Sequence, residues 1–176
     1  MLRNKSDIIF PHLSPIVLPN NVGISRVMIL FLYHKNRDRM NENLHKGVTV
    51  MFKAVSTKQA PSAIGPYSQA TDLGHIVFIS GQIPLDPETM EFVSNDIQEQ
   101  THRVMKNIQA ILEDVDLTFK NVVKMNIYLD SMDDFSVVND VYASYLTEPY
   151  PARAAVEVSK LPKGAKVEIE AIATRD

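Results

Sequence analysis

Residues 149–173, PYPARAAVEVSKLPKGAKVEIEAIA, carry the clearest structural pattern of the chain. Two apolar segments flank LPKGAK, residues 161–166, whose proline and glycine are typical of a turn. The pattern therefore predicts two consecutive strands. Along the first of them, Arg153 and Ala155 face one side of the sheet, and the residues that alternate with them face the other side.

Charged side chains stand among the apolar residues of both segments, notably Arg153 in the first, and Glu168 and Glu170 in the second. A guanidinium binds a planar carboxylate through two parallel hydrogen bonds, which a lysine cannot do. An arginine at the start of a strand, near a carboxylate on the next strand, would therefore suit a small ligand that carries a carboxylate. An ordinary surface ion pair at a strand end explains the same residues. The residues alone leave both interpretations open.

Length and composition indicate one ordinary globular domain. The chain has 176 residues, of which 45% are hydrophobic and 22% charged. Its net charge of −3 offers no general electrostatic attraction for nucleic acid. The absence of cysteine excludes disulfides, thiolate metal sites and cysteine nucleophiles. It also agrees with a reducing compartment, so we expect a cytoplasmic protein.

The first fifty residues differ from the rest of the chain. They carry seven basic and three acidic side chains, a net charge of +4, which leaves −7 for the remainder. The one apolar run, residues 27–33, is far shorter than the roughly 20 residues that cross a bilayer. An organelle transit peptide is an alternative, although no clear amphipathic repeat is present. We expect residues 1–50 to be a poorly ordered extension outside the fold, and residues 51–176 to form a single domain.

The predicted order of elements is strand, strand, helix, strand, helix, strand, strand, with a possible further hairpin at the start. Ser94 is the expected cap of the first helix, which runs to about residue 115. Residues 119–130 are predicted as a strand, and residues 131–134 resemble a capping box that opens a second helix to about residue 146. Two helices covering one face of a mixed sheet make an α+β two-layer domain.

The sheet face opposite the two helices has no predicted cover. We expect apolar residues on that face, namely Val77, Ile79, Val156 and Val158. Since no further helix is available to bury them, oligomerisation is the simplest way to cover this face.

Four other residues are possible ligand contacts. Tyr67 follows Gly-Pro in a loop, where its hydroxyl could point into a cleft, although an ordinary half-buried tyrosine is the alternative. Gly81 would allow close approach to the backbone and expose Ser80 at a strand end, but the motif GxSxG of a nucleophile elbow is absent. Asn139 lies beside an apolar helix stripe, where an amide is more often a local hydrogen-bonding group than a ligand contact.

Other common functional signals are missing from the sequence. The five histidines show no metal-ligand spacing, and no glycine-rich phosphate loop occurs. Basic residues are not interleaved with aromatic residues along one face, as they are in many RNA-binding proteins. Nothing in the sequence therefore supports a cofactor, a metal, a nucleic-acid partner or a membrane partner.

Several separated motifs in a fixed order resemble the Rid/YjgF family of reactive-intermediate deaminases, and the similarity extends over residues 51–175. The motifs are AIGPYSQ at 63–69, ISGQI at 79–83, Val138-Asn139, PARA at 151–154 and VEIEA at 167–171. The resemblance implies a chorismate-mutase-like α+β domain that assembles as a homotrimer with clefts between subunits. It implies hydrolysis of the enamine or imine acids 2-aminoacrylate and 2-aminocrotonate to 2-oxo acids and ammonia, without a cofactor. Serine and threonine dehydratases that use pyridoxal phosphate release these compounds.

The resemblance also implies roles for individual residues. Arg153 matches a carboxylate-binding arginine, Glu168 a glutamate linked to the catalytic water, and Gly81 a glycine that shapes the pocket. Further positions around the ligand match Tyr67, Ser80 and Asn139. Ala155 stands where well-studied members carry a cysteine, although its backbone carbonyl could still hold the water.

Two other functions are compatible with the same motifs. A regulatory protein could bind small carboxylates with Arg153 and catalyse nothing, but it would have no need of Glu168. The ribonuclease or translation-inhibitor activity reported for some members is disfavoured by the acidic charge of residues 51–176.

Overall fold

The structure, a computed structural model, describes residues 52–175, and the extension predicted at residues 1–50 lies outside the described residues. The strands are β1 (Lys53–Val55), β2 (Ala70–Asp72), β3 (Ile76–Gln82), β4 (Val122–Leu129), β5 (Ala152–Glu157) and β6 (Val167–Thr174). The α-helices are α1 (Ile97–Glu113) and α2 (Phe135–Ser144). Short 3₁₀ turns lie at Phe119–Asn121, Met132–Asp134 and Pro162–Gly164.

The six strands form one mixed sheet in the order β1-β2-β3-β6-β4-β5. Neighbouring strands are antiparallel except β4 and β5, which run parallel because α2 connects them. Both helices lie on one face of this sheet. The predicted two-layer α+β fold is confirmed, and its central strand β6 is the second of the two strands predicted within residues 149–173.

Helix α1 is amphipathic, and the side chains on its buried face supply much of the core. Val104, Ile108 and Ile111 are fully buried at helical spacing. The expected Ser94 cap is wrong by two residues: Asp96 caps the helix, and its carboxylate accepts a 2.9 Å hydrogen bond from the Glu99 amide. Ser94 lies one turn outside the helix, where its hydroxyl oxygen accepts from the Asp96 amide and positions that cap.

Helix α2 begins later than the capping motif predicts. Ser131 accepts a hydrogen bond from the Asp133 amide, but this bond caps the 3₁₀ turn at Met132–Asp134. The α-helix follows directly from that turn at Phe135. The same kind of short turn, at Phe119–Asn121, precedes β4 and occupies the first part of the strand predicted there.

The assignment of two residues to the uncovered sheet face was wrong. Val77 and Ile79 are only 0% and 3% exposed, because they face the helices, whereas Phe78 between them is 43% exposed on the other face. Residues 76–79 are all apolar, so the sequence lacks the alternation that would reveal which side is buried. An uncovered apolar surface does exist, and Phe78 and Val156 (46% exposed) are part of it. We call this side of the sheet the open face.

None of the helices between residues 52 and 175 combines the length and the apolar character that crossing a bilayer demands.

Candidate functional site

The strand register places the two principal charged residues on opposite faces of the sheet. Arg153 is the register partner of Met125, a fully buried residue on the helix side. Glu168 is the register partner of Tyr128, which in turn is opposite the exposed Val156. Because directly paired residues project to the same side, Arg153 faces the helix layer and Glu168 faces the open face.

Arg153 lies at a cleft of about 400 Å³ between the start of β5 and helix α2, which we call the arginine cleft. Its Nη1 donates a 2.7 Å hydrogen bond to Asn139 Oδ1. Its Cζ lies 5.3 Å from the ring centroid of Phe135 and 5.2 Å from that of Tyr142, within cation–π range of both. Phe135, Asn139 and Tyr142 are spaced four and three residues apart, so one face of α2 holds the guanidinium.

Glu168 lies at a second cleft, of about 620 Å³, which we call the glutamate cleft. A bulge in β3 shapes it, because the pairing with β6 advances three residues along β3, from Ile79 to Gln82, but only two along β6. The bulge turns Ser80 and Gly81 out of the regular ladder. The eight lining residues are Ile64, Tyr67, Ser80, Gly81, Ile83, Pro162, Lys163 and Glu168.

Gly81 makes room for the Glu168 carboxylate. A Cβ at position 81 would overlap Glu168 Oε1 and come within 2.8 Å of its Cδ. The need for glycine here is therefore steric, and it follows from the approach of one side chain.

The Glu168 carboxylate is electrostatically unusual. Burial, and then the negative charge of Glu170, raise the pKa of Glu168 above its ordinary value. Within residues 52–175 this carboxylate accepts no hydrogen bond that would offset those effects. A carboxylate whose proton affinity is raised towards the working pH is suited to act as a general base on water.

The hydroxyl groups of the glutamate cleft are engaged in local structure. Ser80 Oγ donates a 2.7 Å hydrogen bond to the Ser68 carbonyl, which holds the 61–69 loop against the bulge. Tyr67 Oη accepts from the Ile64 amide at 3.3 Å, and the tyrosine side chain remains half exposed at the cleft. Because its proton is donated to a backbone carbonyl and not to a base, Ser80 is not arranged as a nucleophile.

Comparison with known proteins places this geometry in a family. The family model described as "Endoribonuclease L-PSP" matches residues 57–175. The chain belongs to the Rid/YjgF family. A RutC family protein of Pyrococcus abyssi is 51% identical over 124 residues, 70% of this chain and 98% of that protein. A protein of Salmonella typhimurium named 2-iminobutanoate/2-iminopropanoate deaminase is 44% identical over 128 residues, 71% of this chain and 99% of that protein.

A solved structure agrees with the same assignment. The structure titled "Crystal structure of E. coli TdcF with bound serine" has a TM-score of 0.68 and 42% sequence identity, and the match covers 70% of this chain and 99% of that one. The shared Rid/YjgF fold therefore extends over the whole of the smaller relatives and over the described part of this chain.

The Rid/YjgF site residues expected from the sequence fall into two groups in one chain. Four of them, Tyr67, Ser80, Gly81 and Glu168, line the glutamate cleft. Two others, Arg153 and Asn139, line the arginine cleft.

The remaining expected contact, Ala155, lines neither cleft. It is partly buried and packs against the hydrophobic core. The hypothesis that Arg153 lies near a carboxylate of the next strand is wrong within a single chain, because β4 separates β5 from β6 and the two side chains face opposite ways.

Sequence reasoning missed several residues of the two clefts. Phe135 and Tyr142 were predicted only as part of an apolar helix stripe, yet their rings contact the Arg153 guanidinium. Their spacing around Asn139 was the available signal. Lys163 was part of a predicted turn, and nothing in its local sequence indicated that the turn would border the cleft of Glu168.

Proposed function

We propose that this protein hydrolyses small enamine and imine acids, 2-aminoacrylate and 2-aminocrotonate in their imine forms, to 2-oxo acids and ammonia. The observation that carries the proposal is the complementarity of the two clefts. One offers a preorganised guanidinium for a carboxylate, and the other offers a carboxylate of raised pKa for a water molecule. The name of the Salmonella relative and the serine bound to its E. coli relative support a small substrate of this kind.

The chemistry needs no strong nucleophile. Once the imine nitrogen is protonated, its carbon is already electrophilic. Glu168 takes a proton from water as the water oxygen bonds to that carbon, which gives a carbinolamine. Glu168 then returns that proton to the nitrogen and accepts the hydroxyl proton of the carbinolamine as the C–N bond breaks. Ammonia leaves as the C=O bond of the 2-oxo acid forms, and Glu168 passes the hydroxyl proton to solvent. Arg153 holds the substrate carboxylate throughout, so most of the acceleration comes from positioning.

The complete site in this proposal lies between two chains of a homotrimer. Arg153 and Asn139 come from one chain, while Tyr67, Ser80, Gly81 and Glu168 come from another. Two observations support this assembly. The two halves face opposite sides of the sheet in one chain, and the open face exposes large apolar side chains, among them Phe78 and Val156. Light scattering of the full chain at micromolar concentration should give the mass of a trimer, and a monomer would contradict the assembly.

The activity is tested by producing 2-iminobutanoate with a threonine dehydratase, an enzyme of the class that we expect to supply the substrate. The loss of 2-iminobutanoate is then followed with and without the full-length chain, and with the Glu168→Gln variant as control. We expect acceleration by the natural sequence and little by the variant. Decay at the rate in water alone would disprove the deaminase proposal, and binding of 2-oxobutanoate without turnover would leave a carboxylate-binding protein.

Mixing two inactive variants tests the shared site. Arg153→Ala and Glu168→Gln chains are unfolded together in equal amounts and refolded. If each site takes its arginine and its glutamate from different chains, about a quarter of the sites regain both natural residues. Each variant refolded alone should stay inactive. A mixture that is no more active than its components would show that the site is not shared.

A ribonuclease is the other function to test, because the matching family model is described as an endoribonuclease. The charge of −7 on the chain after residue 50 opposes binding to a polyanion. We therefore expect labelled RNA to remain intact under the conditions of the deaminase assay.

The lack of cysteine supports a location in the reducing cytoplasm, where the dehydratases that we expect to supply the substrate also act.

A further inference from the structure

Two glutamates share the open face of β6. Glu168 and Glu170 are two residues apart on one strand, so their side chains project to the same side. Across the strand pair, Tyr128 is opposite Glu168 and Asn126 is opposite Glu170. The function proposed above employs Glu168 and gives no role to the other three residues.

The Glu170 carboxylate is held in a defined position. Asn126 Nδ2 donates a hydrogen bond of 2.7 Å to Glu170 Oε1, and Tyr128 Oη donates one of 3.0 Å to the same oxygen. Tyr128 thus leans from its place opposite Glu168 towards the neighbouring glutamate. Burial, followed by its hydrogen bond to Glu170, raises the pKa of the Tyr128 hydroxyl, so it stays a donor at neutral pH. We call Asn126, Tyr128 and Glu170 the triad.

We propose that Glu170, fixed by Asn126 and Tyr128, is a positioning residue for Glu168 that acts through its negative charge across the open face. The inference rests on the proposed function, since it assigns to the triad the task of preparing the base. Like charges held close together oppose each other's ionisation, so a fixed Glu170 makes Glu168 a stronger proton acceptor.

The other groups around Glu168 do not supply this effect. β3 contributes Ser80 and Gly81 there, which are uncharged. Of the side chains lining the cleft, Tyr67 is neutral in its ordinary form, and Lys163, which donates from Nζ to the Met90 carbonyl, has the opposite charge. Besides burial, the charge of Glu170 is the cause that raises the pKa of Glu168.

A purely structural role for the triad makes different predictions. Hydrogen bonds between neighbouring strands stabilise a sheet, and their loss would lower stability without moving the titration of Glu168. The discriminating variant is Glu170→Gln, because the amide oxygen of glutamine can still accept from Asn126 and Tyr128. Only the charge is removed.

The experiment follows the side-chain carboxyl carbons of the full chain by NMR as the pH is changed, with the Glu168 signal assigned from Glu168→Gln. We expect Glu170→Gln to lower the pH at which Glu168 titrates. The rising limb of the pH profile of kcat/KM should move in the same direction. At neutral pH kcat should fall roughly two- to tenfold, far less than on loss of Glu168 itself.

Two comparisons complete the test. Glu113→Gln removes one charge from the exposed end of α1 and should leave both the titration and the pH profile unchanged. In the natural protein, the chemical shift of the Glu170 carboxyl carbon should change as Glu168 titrates, which needs no variant and holds even if Glu170→Gln does not fold. Absence of that response, or an unchanged Glu168 titration in Glu170→Gln, would overturn the inference. If the titrations behave as expected but no imine is hydrolysed, the proposed function fails and the coupling stands.

Discussion

The arginine cleft and the glutamate cleft hold their charges in opposite ways. Arg153 is exposed, and α2 holds its guanidinium through one hydrogen bond to Asn139 and through two aromatic rings. Glu168 is partly buried, accepts no hydrogen bond within residues 52–175 and faces a second carboxylate. A guanidinium that is already held in position can bind a ligand at little cost in reorganisation. A carboxylate that lacks hydrogen bonds has, by contrast, a strong tendency to take up a proton.

This difference supports our proposal that one cleft binds the substrate and the other transfers the proton. Binding depends on geometry, which aromatic rings and an amide can supply at the surface. Proton transfer depends on the pKa, which burial and a like charge can raise. Because a single position cannot meet both requirements, we expect substrate binding and proton transfer to be disturbed by different sets of substitutions.

The largest effect expected is on the rate, from Glu168→Gln. The substitution keeps the shape of the side chain and removes the general base, so kcat should fall by roughly 10²–10⁴-fold. Binding of 2-oxobutanoate, measured by calorimetry, should change little. A variant that lost binding but kept its rate would reverse the roles assigned to the two clefts.

Arg153→Lys should chiefly affect binding. Lysine retains the charge but loses the planar fork and the stacking on Phe135 and Tyr142. In the proposed trimer, in which a second chain would cover the cleft, we expect a loss of about 2–5 kcal/mol in binding of a 2-oxo acid, nearly as large as for Arg153→Ala. Arg103→Lys, at a surface pair with Asp86 of 3.4 Å, is the matched control and should bind normally. Full activity of Arg153→Lys would mean that charge alone is enough.

Gly81→Ala should impair the glutamate cleft and leave the arginine cleft intact. The added methyl group collides with the Glu168 carboxylate and displaces it. Since a displacement of about 1 Å can cost on the order of 10²-fold in rate, we expect a fall in kcat of that size, measured with 2-iminobutanoate. Gly65→Ala is the control, because its methyl group would meet Tyr67 ring atoms only at 3.6 and 3.7 Å, an ordinary contact. Equal activity of the two variants would contradict the steric role of Gly81.

The smallest effect concerns stability. The pKa of Glu168 is raised in the folded state, so the folded protein binds the proton more tightly than the unfolded chain. The contribution of Glu168 to the free energy of unfolding therefore declines as the pH rises from the ordinary pKa of about 4.5 through the raised pKa of the folded state. Above that raised pKa the contribution stays at its lower value. Glu168→Gln should consequently be more stable than the natural protein at neutral pH, with the difference vanishing in acid. Denaturant unfolding at a fixed protein concentration measures this, and a difference independent of pH would refute it.

Local sequence was a good guide wherever one interaction dominated. The alternation in residues 167–173 predicted β6, and its buried and partly buried positions follow that alternation in the structure. Where neighbouring signals compete, the boundaries moved: Asp96 rather than Ser94 caps α1, because both residues can accept an amide hydrogen bond and only one lies at the helix end.

The sequence of β3 alone could not predict which of its side chains face the helices and which face the open face. Ile76, Val77, Phe78 and Ile79 offer apolar side chains to both faces, and the choice depends on packing against α1 and on pairing with β2 and β6. The bulge at Ser80 and Gly81 is likewise a property of the β3–β6 pair. Its glycine was visible in the sequence, but the carboxylate that needs the space was not.

The family, the order of elements from β3 onwards and the positions of the charged residues could be predicted from the sequence, because these depend on local periodicity and on motifs along the chain. The short strand β2 was not predicted. That Arg153 and Glu168 face opposite sides of the sheet and lie in separate clefts became evident from the three-dimensional structure alone. The physical reason is that the face of a strand residue depends on register, and register is fixed by contacts between strands that are distant in sequence. In the same way, only the sheet brought Asn126 and Tyr128 to Glu170, a contact across more than forty residues of chain.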